Sequence, residues 1–298
     1  MRLCPHAVRV APRFDTYREV SRNVMDIFRG VTPAVEPLSL DEAFLDVTPR
    51  VGGGWTPERI ARGLKARVTN RTGLTISMGV ASNKSVAKIA SDMDKPDGLV
   101  TVPAGTEREF LAPLPVGRLW GIGPKTEEWL AREEIATIGQ LAQRPPKWFC
   151  DRFGKMGPGL RDLANGVDHR PVVAARRRKS ISAETTLAID TDDPESLHQL
   201  VAGLSGRIGG ELERRGLAGR TVKLKLRLDD FTTYTRQVTL DTPVESEIQI
   251  ASAASRMLGR ELGEGRRFRL LGVGVSGFED TASRATEIPL QPRLYGLE

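Results

Sequence analysis

The chain has 298 residues, 39% hydrophobic and 28% charged, an ordinary soluble composition long enough for two or three domains that each bury a core. Its 44 Lys and Arg outnumber 38 Asp and Glu, and a net charge of +6 favours a polyanionic partner, nucleic acid or an anionic membrane surface. Cys4 and Cys150 form no CxxC, His6, His169 and His198 form no HxxxH pair, and no apolar run approaches the eighteen or so residues of a spanning helix; this excludes a zinc ribbon, a disulfide scaffold and a membrane span, and leaves oxygen ligands for any metal in a soluble, cytoplasmic protein.

In chain order, "HAVRVAP" (6–12) reads as a short strand. Residues 17–31 place Val20, Val24, Ile27 and Phe28 on one helical face, with Gly30 as a stop. "AVEPLSLDEAFLDVT" then supplies strands, and it carries the adjacent carboxylates Asp41 and Glu42 inside an apolar run. Neighbours on a strand face opposite ways, and an unpaired buried carboxylate is costly. A capping role at a hairpin is one reading. The other is a bulge that turns both side chains to one edge, where a divalent cation neutralises them for phosphoryl transfer. Thr56, Pro57 and Gly73 bound a second helix, "LTISMGVAS" is a strand, residues 83–98 are a helix giving way to a turn, and "LVTVP" is a strand. This alternation predicts a mixed sheet with helices on one face.

After Pro103 come short helices punctuated by Gly and Pro, ending near Val167. "GIGPKT" (121–126) reads as the hairpin of a helix-hairpin-helix, whose amides and helix N-terminus suit a phosphate. Residues 168–180 read as an exposed basic linker with Arg176, Arg177, Arg178 and Lys179. The remainder reads βαββαβ, and in "VKLKLRL" the residues Lys223, Lys225 and Arg227 alternate outward from Val222, Leu224, Leu226 and Leu228.

"SLDEAFLDVT" resembles the S-x-DEA-(F/Y)-LD signature of Y-family translesion DNA polymerases. Residues 73–99 resemble the family's second block, G-(I/V)-x-x-N-K-x-x-A-K-x-A-S-x-x-x-K-P-(D/N)-G, and "LWGIGPKTEEWLAREEIATIGQL" resembles its thumb. The resemblance implies an α+β fold: a partial palm over 1–103, an all-helical thumb over 104–167, a linker over 168–180, a little finger over 181–279 and a tail over 280–298. It implies that Asp41 bridges two catalytic Mg²⁺ ions and that Glu42 binds the one activating the primer 3′-oxygen. Lys95 would reach the triphosphate of an incoming deoxynucleotide. Asn83 is expected to be structural, and Lys84 to contact phosphate. Primer–template DNA would be met by Gly121, Gly123 and Lys125 of the hairpin, by Arg177, Arg178 and Lys179, by Lys223, Lys225 and Arg227, and by Arg267 and Arg269. "QPRLYG" resembles a peptide that docks on the bacterial sliding clamp through Gln291, Leu294 and Tyr295. A monomer is expected.

The family's D-x-D-x-F-(F/Y)-x-x-V-E motif, with a further metal-binding Asp, occurs nowhere in these residues. The expectation is therefore a palm short of one strand and one carboxylate, from an upstream start or as a truncated paralogue. Weak catalysis is expected of it, and the alternative is a non-catalytic DNA-binding and clamp-docking protein.

Overall fold

Helix α1 (Phe14–Arg29) buries Ile27 and Phe28 of the predicted face together with Met25, leaves Val20 and Val24 half-buried, and begins three residues earlier than expected. The computed structural model describes residues 4–8, 10–175, 177–263 and 265–278, and its packing divides into two units after Ala175. Ahead of α1 the predicted strand over 6–12 does not form. Ala7 N–H closes a turn onto the Cys4 carbonyl, and Val8 and Val10 are exposed. A strand exists only against an edge, and among the described residues none pairs with this segment.

Strands β1 (Val35–Pro37) and β2 (Ala43–Leu45) form an antiparallel hairpin with Glu36 opposite Phe44. Helix α2 (Pro57–Thr72) starts on the Thr56 hydroxyl, which accepts from Arg59 N–H, and ends at Gly73 in the left-handed region. Strand β3 (Met78–Val80), helix α3 (Lys84–Met93) and strand β4 (Leu99–Thr101) follow, β3 and β4 pairing in parallel. Gly79 permits α3 to lie against β3, since a Cβ there would stand 2.0 Å from the Ala87 carbonyl oxygen. The expected single mixed sheet is thus two separate two-stranded pieces, one antiparallel and one parallel. They share a core with α1 and α2 built on Val35, Ile60, Leu64 and Val68.

Helices α4 (Glu107–Leu111), α5 (Pro124–Arg132), α6 (Ile138–Ala142), α7 (Pro146–Phe153) and α8 (Gly157–Ala164) bury Leu111, Leu130, Ile138, Leu141 and Phe149. Val86, Ile89 and Ala90 of α3 belong to the same cluster, so the helical layer has no core apart from α3.

The predicted exposed linker is docked over its first half. The Asp168 side chain is 2% exposed; it accepts from Ser85 N–H at the start of α3 and takes a bidentate pair from Arg170 at 2.7 Å. Arg170 also lies over the Trp120 ring, and Val173 N–H donates to the buried Glu36 carboxylate at 2.9 Å. A buried carboxylate needs such partners, and only the chain beyond Val173 keeps the character expected of a linker. Burial opposes ionisation of Asp168, but the Arg170 hydrogen bonds outweigh it and hold the carboxyl below its ordinary 3.8. A depressed carboxyl contributes stability at neutral pH that disappears as pH falls below that ordinary value toward the lowered one. Asp168→Asn is expected to cost about 2 kcal/mol at pH 7. Urea unfolding at pH 7 and pH 3 checks this, the variant losing part of the wild-type's acid sensitivity.

The second unit comprises β5 (Ser180–Thr191), α9 (Pro194–Arg215), β6 (Gly219–Leu228), β7 (Thr233–Val244), α10 (Glu247–Gly259) and β8 (Phe268–Phe278). Its strands are antiparallel neighbours in the order β5-β8-β6-β7, so β8 splits the β5-α9-β6 unit as the sequence pattern predicts. Both helices cover one face, where Val222, Leu224, Leu226, Val273 and Val275 are buried. The other face keeps the polar half of each alternation.

Candidate active site and nucleic-acid interface

Asp41 and Glu42 lie in the bend between β1 and β2 and not on a bulged strand within the sheet. The three-residue strands end too early to include them. Leu38 N–H and Ser39 N–H both donate to the Glu42 carbonyl, closing the loop, and the Ser39 hydroxyl donates to Asp41 Oδ1 at 2.6 Å. Asp41 is exposed and Glu42 partly so, hence neither pays the burial cost that the apolar flanks suggested.

Glu42 continues into a chain of charges. Its Oε1 is 3.3 Å from Lys88 Nζ, Lys88 donates to Asp92 at 2.6 Å, and Lys95 Nζ is 2.5 Å from the other Asp92 oxygen. Lys88 and Asp92 face one way because four residues separate them on α3. Burial opposes the Lys88 charge, but Asp92 and then Glu42 raise the ammonium above its ordinary pKa. Burial likewise opposes the Asp92 charge, and hydrogen bonds from Lys88 and Lys95 hold that carboxyl below its ordinary range. Lys95 remains 54% exposed. The turn after it is fixed by Lys65 of α2, which donates to Asp97 Oδ1 at 2.5 Å and to the carbonyls of Ile76, Asp97 and Gly98.

The structure links Glu42 to Lys95 through Lys88 and Asp92, with Asp41 next to Glu42 in the bend, and it removes Lys84 from the exposed phosphate-binding set. Lys84 is 7% exposed and donates at 2.8 Å to Glu36, which is 1% exposed, with the Phe44 ring beside the ammonium. A buried ammonium with a carboxylate partner is a packing element, not a surface contact. Asn83 caps α3 by accepting from Val86 N–H and donates to the Gly166 carbonyl, the structural role expected of it. Sequence reasoning missed Glu36, Lys65, Asp92, Asp168 and Arg170. Only Asp92 left a signal, its spacing four residues after Lys88.

Hard oxygen donors at an exposed bend suit Mg²⁺, which is commonly held by one or two carboxylates together with substrate phosphates. The Lys88 ammonium 3.3 Å from Glu42 shows a cation already drawn to this carboxylate. Among the described residues no group of three or more His, Cys, Asp or Glu side chains converges. Asp41 and Glu42 therefore fit a metal shared with a phosphate ligand, not a closed protein cage.

Two further surfaces carry the DNA-binding expectations. In the hairpin, Gly121 has φ +99°, Ile122 is buried, and Gly123 is the N-cap of α5 with Pro124 in its first turn. Gly121, Gly123 and Lys125 are exposed. The helix before them is only a 3₁₀ turn at Val116–Arg118. On the open sheet face, Lys223 faces Gly274, and Lys225 faces Gly272 with Glu184 beyond it. Lys225 pairs with Glu184 at 2.8 Å, and Arg227 donates to the Thr233 hydroxyl. A Cβ on Gly272 would stand 3.0 Å from that of Glu184, so this strand keeps the centre of the face low. Arg267 donates to the Asp190 carbonyl, and Arg269 pairs with the Asp190 carboxylate at 3.1 Å. Arg177, Arg178 and Lys179 are exposed, while Arg176 and the clamp-peptide residues Gln291, Leu294 and Tyr295 lie outside the described residues. No helix among those described is long and apolar enough to cross a membrane.

The chain matches the impB/mucB/samB family over residues 1–92, the HHH motif of that family over 105–132, and its C-terminal domain over 178–288. It is 45% identical to the DNA polymerase IV of Alkalilimnicola ehrlichii, over 93% of this chain and 78% of that protein. The Streptomyces coelicolor DNA polymerase IV is 44% identical, over 94% of this chain and 59% of that one. Among solved structures, a Y-family DNA polymerase chimera of Dbh and Dpo4 superposes with a TM-score of 0.80 at 23% identity, covering 93% and 80%. An insertion ternary complex of Dbh DNA polymerase gives 0.62 at 23% identity, over 93% and 80%.

Proposed function

Since the chain belongs to the impB/mucB/samB family of Y-family DNA polymerases, we propose that it contributes the nucleotidyl-transfer edge and the DNA-holding surfaces of a translesion DNA polymerase. The observation that carries this reading is the ion-paired series Glu42–Lys88–Asp92–Lys95, with Asp41 next to Glu42 in the same bend, oxygens at one end and a solvent-facing ammonium at the other. A deoxynucleoside triphosphate needs both: oxygens to share a cation with its phosphates, and a positive charge for the rest of the chain.

Asp41 and Glu42 would hold Mg²⁺, two ions being expected of the family. When bound, the metal neutralises phosphate charge and makes the primer 3′-hydroxyl easier to ionise. Ser39 orients Asp41 through its hydroxyl, and Lys88 orients Glu42. Lys95 would meet the triphosphate as a point charge, on a turn that Lys65 keeps from drifting. Primer attack on the α-phosphate then releases pyrophosphate. Primer extension with Mg²⁺ by this polypeptide and by Asp41→Ala/Glu42→Ala tests the assignment. Extension that persists in the double variant overturns it. DNA binding with no extension by either protein identifies the non-catalytic alternative, docked on a sliding clamp through the tail.

Primer–template DNA would lie against Gly121, Gly123 and Lys125, against Arg177, Arg178 and Lys179, and across Lys223, Lys225, Arg227, Arg267 and Arg269, by phosphate contacts that do not read sequence. The face is not uniformly positive, because Glu184 already occupies Lys225 and Asp190 occupies Arg269. Glu184→Ala is expected to tighten DNA binding and Lys223→Ala to weaken it, each changing the slope of log affinity against log salt by about one. Fluorescence anisotropy across a salt series checks both, and slopes equal to the wild-type's remove this face from the interface.

A further inference from the structure

Asp92 occupies a position that helix physics disfavours. It lies in the last turn of α3, where the backbone dipole is negative and a carboxylate is destabilising. It is nevertheless ionised, held between two ammonium groups at 2.6 and 2.5 Å. Lys88 has a second carboxylate in Glu42, so Asp92 is not its only counter-ion. For Lys95, Asp92 is the carboxylate within reach. Their pair joins a 54% exposed lysine to a 28% exposed aspartate, three residues apart, a contact of the weak and easily exchanged kind. The Lys88 contact is more enclosed, with side chains 27% and 28% exposed, and it has support from both sides.

We propose that Asp92 is a positioning residue that competes with the triphosphate for Lys95: it parks the ammonium while the site is empty and surrenders it to the more highly charged phosphate chain. The inference rests on the assignment of Lys95 to the triphosphate. Asp92 keeps Lys88 as its partner when Lys95 leaves, so the exchange strands no charge, and Lys88 stays beside Glu42 throughout. The device also favours long polyphosphates. An anion of one charge gains little over the carboxylate it displaces, whereas a triphosphate offers several charges to the same ammonium.

The test uses the 298-residue chain with inorganic tripolyphosphate as the probe. Calorimetric affinity for the probe is measured on wild type, Asp92→Asn, Lys95→Met and the double variant, and the acylation rate of the Lys95 amine is measured by mass spectrometry, without the probe, on wild type and Asp92→Asn. Parking predicts that Asp92→Asn accelerates Lys95 acylation and tightens tripolyphosphate binding roughly threefold, the scale of one exposed ion pair. Lys95→Met should weaken binding and erase the gain from Asp92→Asn in the double variant. A purely structural Asp92 would lower affinity without raising Lys95 reactivity, and that result overturns the proposal. If Lys95→Met weakens binding while Asp92→Asn changes neither readout, the parking role is wrong and the Lys95 assignment stands. If Lys95→Met leaves affinity unchanged, the Lys95 assignment falls and the parking role with it.

Discussion

Replacing Lys84 with methionine is expected to destabilise the first unit by about 3–5 kcal/mol, because it breaks a buried ion pair by removing one partner. The Glu36 side chain is 1% exposed, and its Oε2 receives both Lys84 Nζ and Val173 N–H. With Lys84 gone, that carboxylate loses the ammonium that offsets its burial. The cost spreads because the cluster joins four segments: β1 through Glu36, α3 through Lys84, β2 through Phe44, and the docked linker through Val173. Trp120 extends it to the hairpin loop, its ring 6.1 Å from Phe44 and beneath Arg170. Chemical unfolding followed by tryptophan fluorescence, all four tryptophans lying in the first unit, measures the loss. The double change Glu36→Leu/Lys84→Met should recover part of it, since it removes both buried charges of the pair together. A loss below about 1 kcal/mol for Lys84→Met alone would be that of a surface pair and would contradict the burial.

That pair also marks where sequence reading stopped. The second unit was legible almost residue by residue, because its strands have ten to twelve residues and "VKLKLRL" shows its alternation openly. Helix α9 and strand β8 occupy the ranges that their patterns predict. In the first unit the strands have three residues each, too few for any alternation to declare itself, and the separation of the sheet into two pieces was not visible. Lys84 follows an N-cap asparagine in a charged-looking block, and nothing local indicates a partner 48 positions away. Asp168 and Ser85 are joined across 83 positions, so the linker's composition described solvent while its contacts describe an anchor. The functional edge was only partly legible. The carboxylate pair and Lys95 stand in family-like blocks, whereas the series connecting Glu42 to Lys95 depends on which way α3 turns Lys88 and Asp92.

Asp41→Asn is expected to lower the rate of nucleotide addition about a thousandfold, the several kcal/mol that charge stabilisation by a metal site supplies to phosphoryl transfer. The substitution keeps the shape of the side chain and an oxygen for the Ser39 hydroxyl, and it removes the charge alone. Glu42→Gln should act differently, because Glu42 also holds Lys88; loosening that ammonium shifts it toward Asp92, which already carries Lys95. Its effect should therefore include nucleotide affinity as well as rate, while Asp41→Asn acts mainly on rate. Primer–template affinity should stay within about twofold of wild type in both, since the phosphate contacts proposed for Lys125, Lys223 and Arg267 are made by other elements. Single-nucleotide addition rates and DNA anisotropy on the same preparations separate these outcomes. Unchanged addition by Asp41→Asn would place the chemistry elsewhere. A parallel loss of DNA affinity would instead make the loop carboxylates part of the DNA-holding surface, which two exposed negative charges have no electrostatic reason to be.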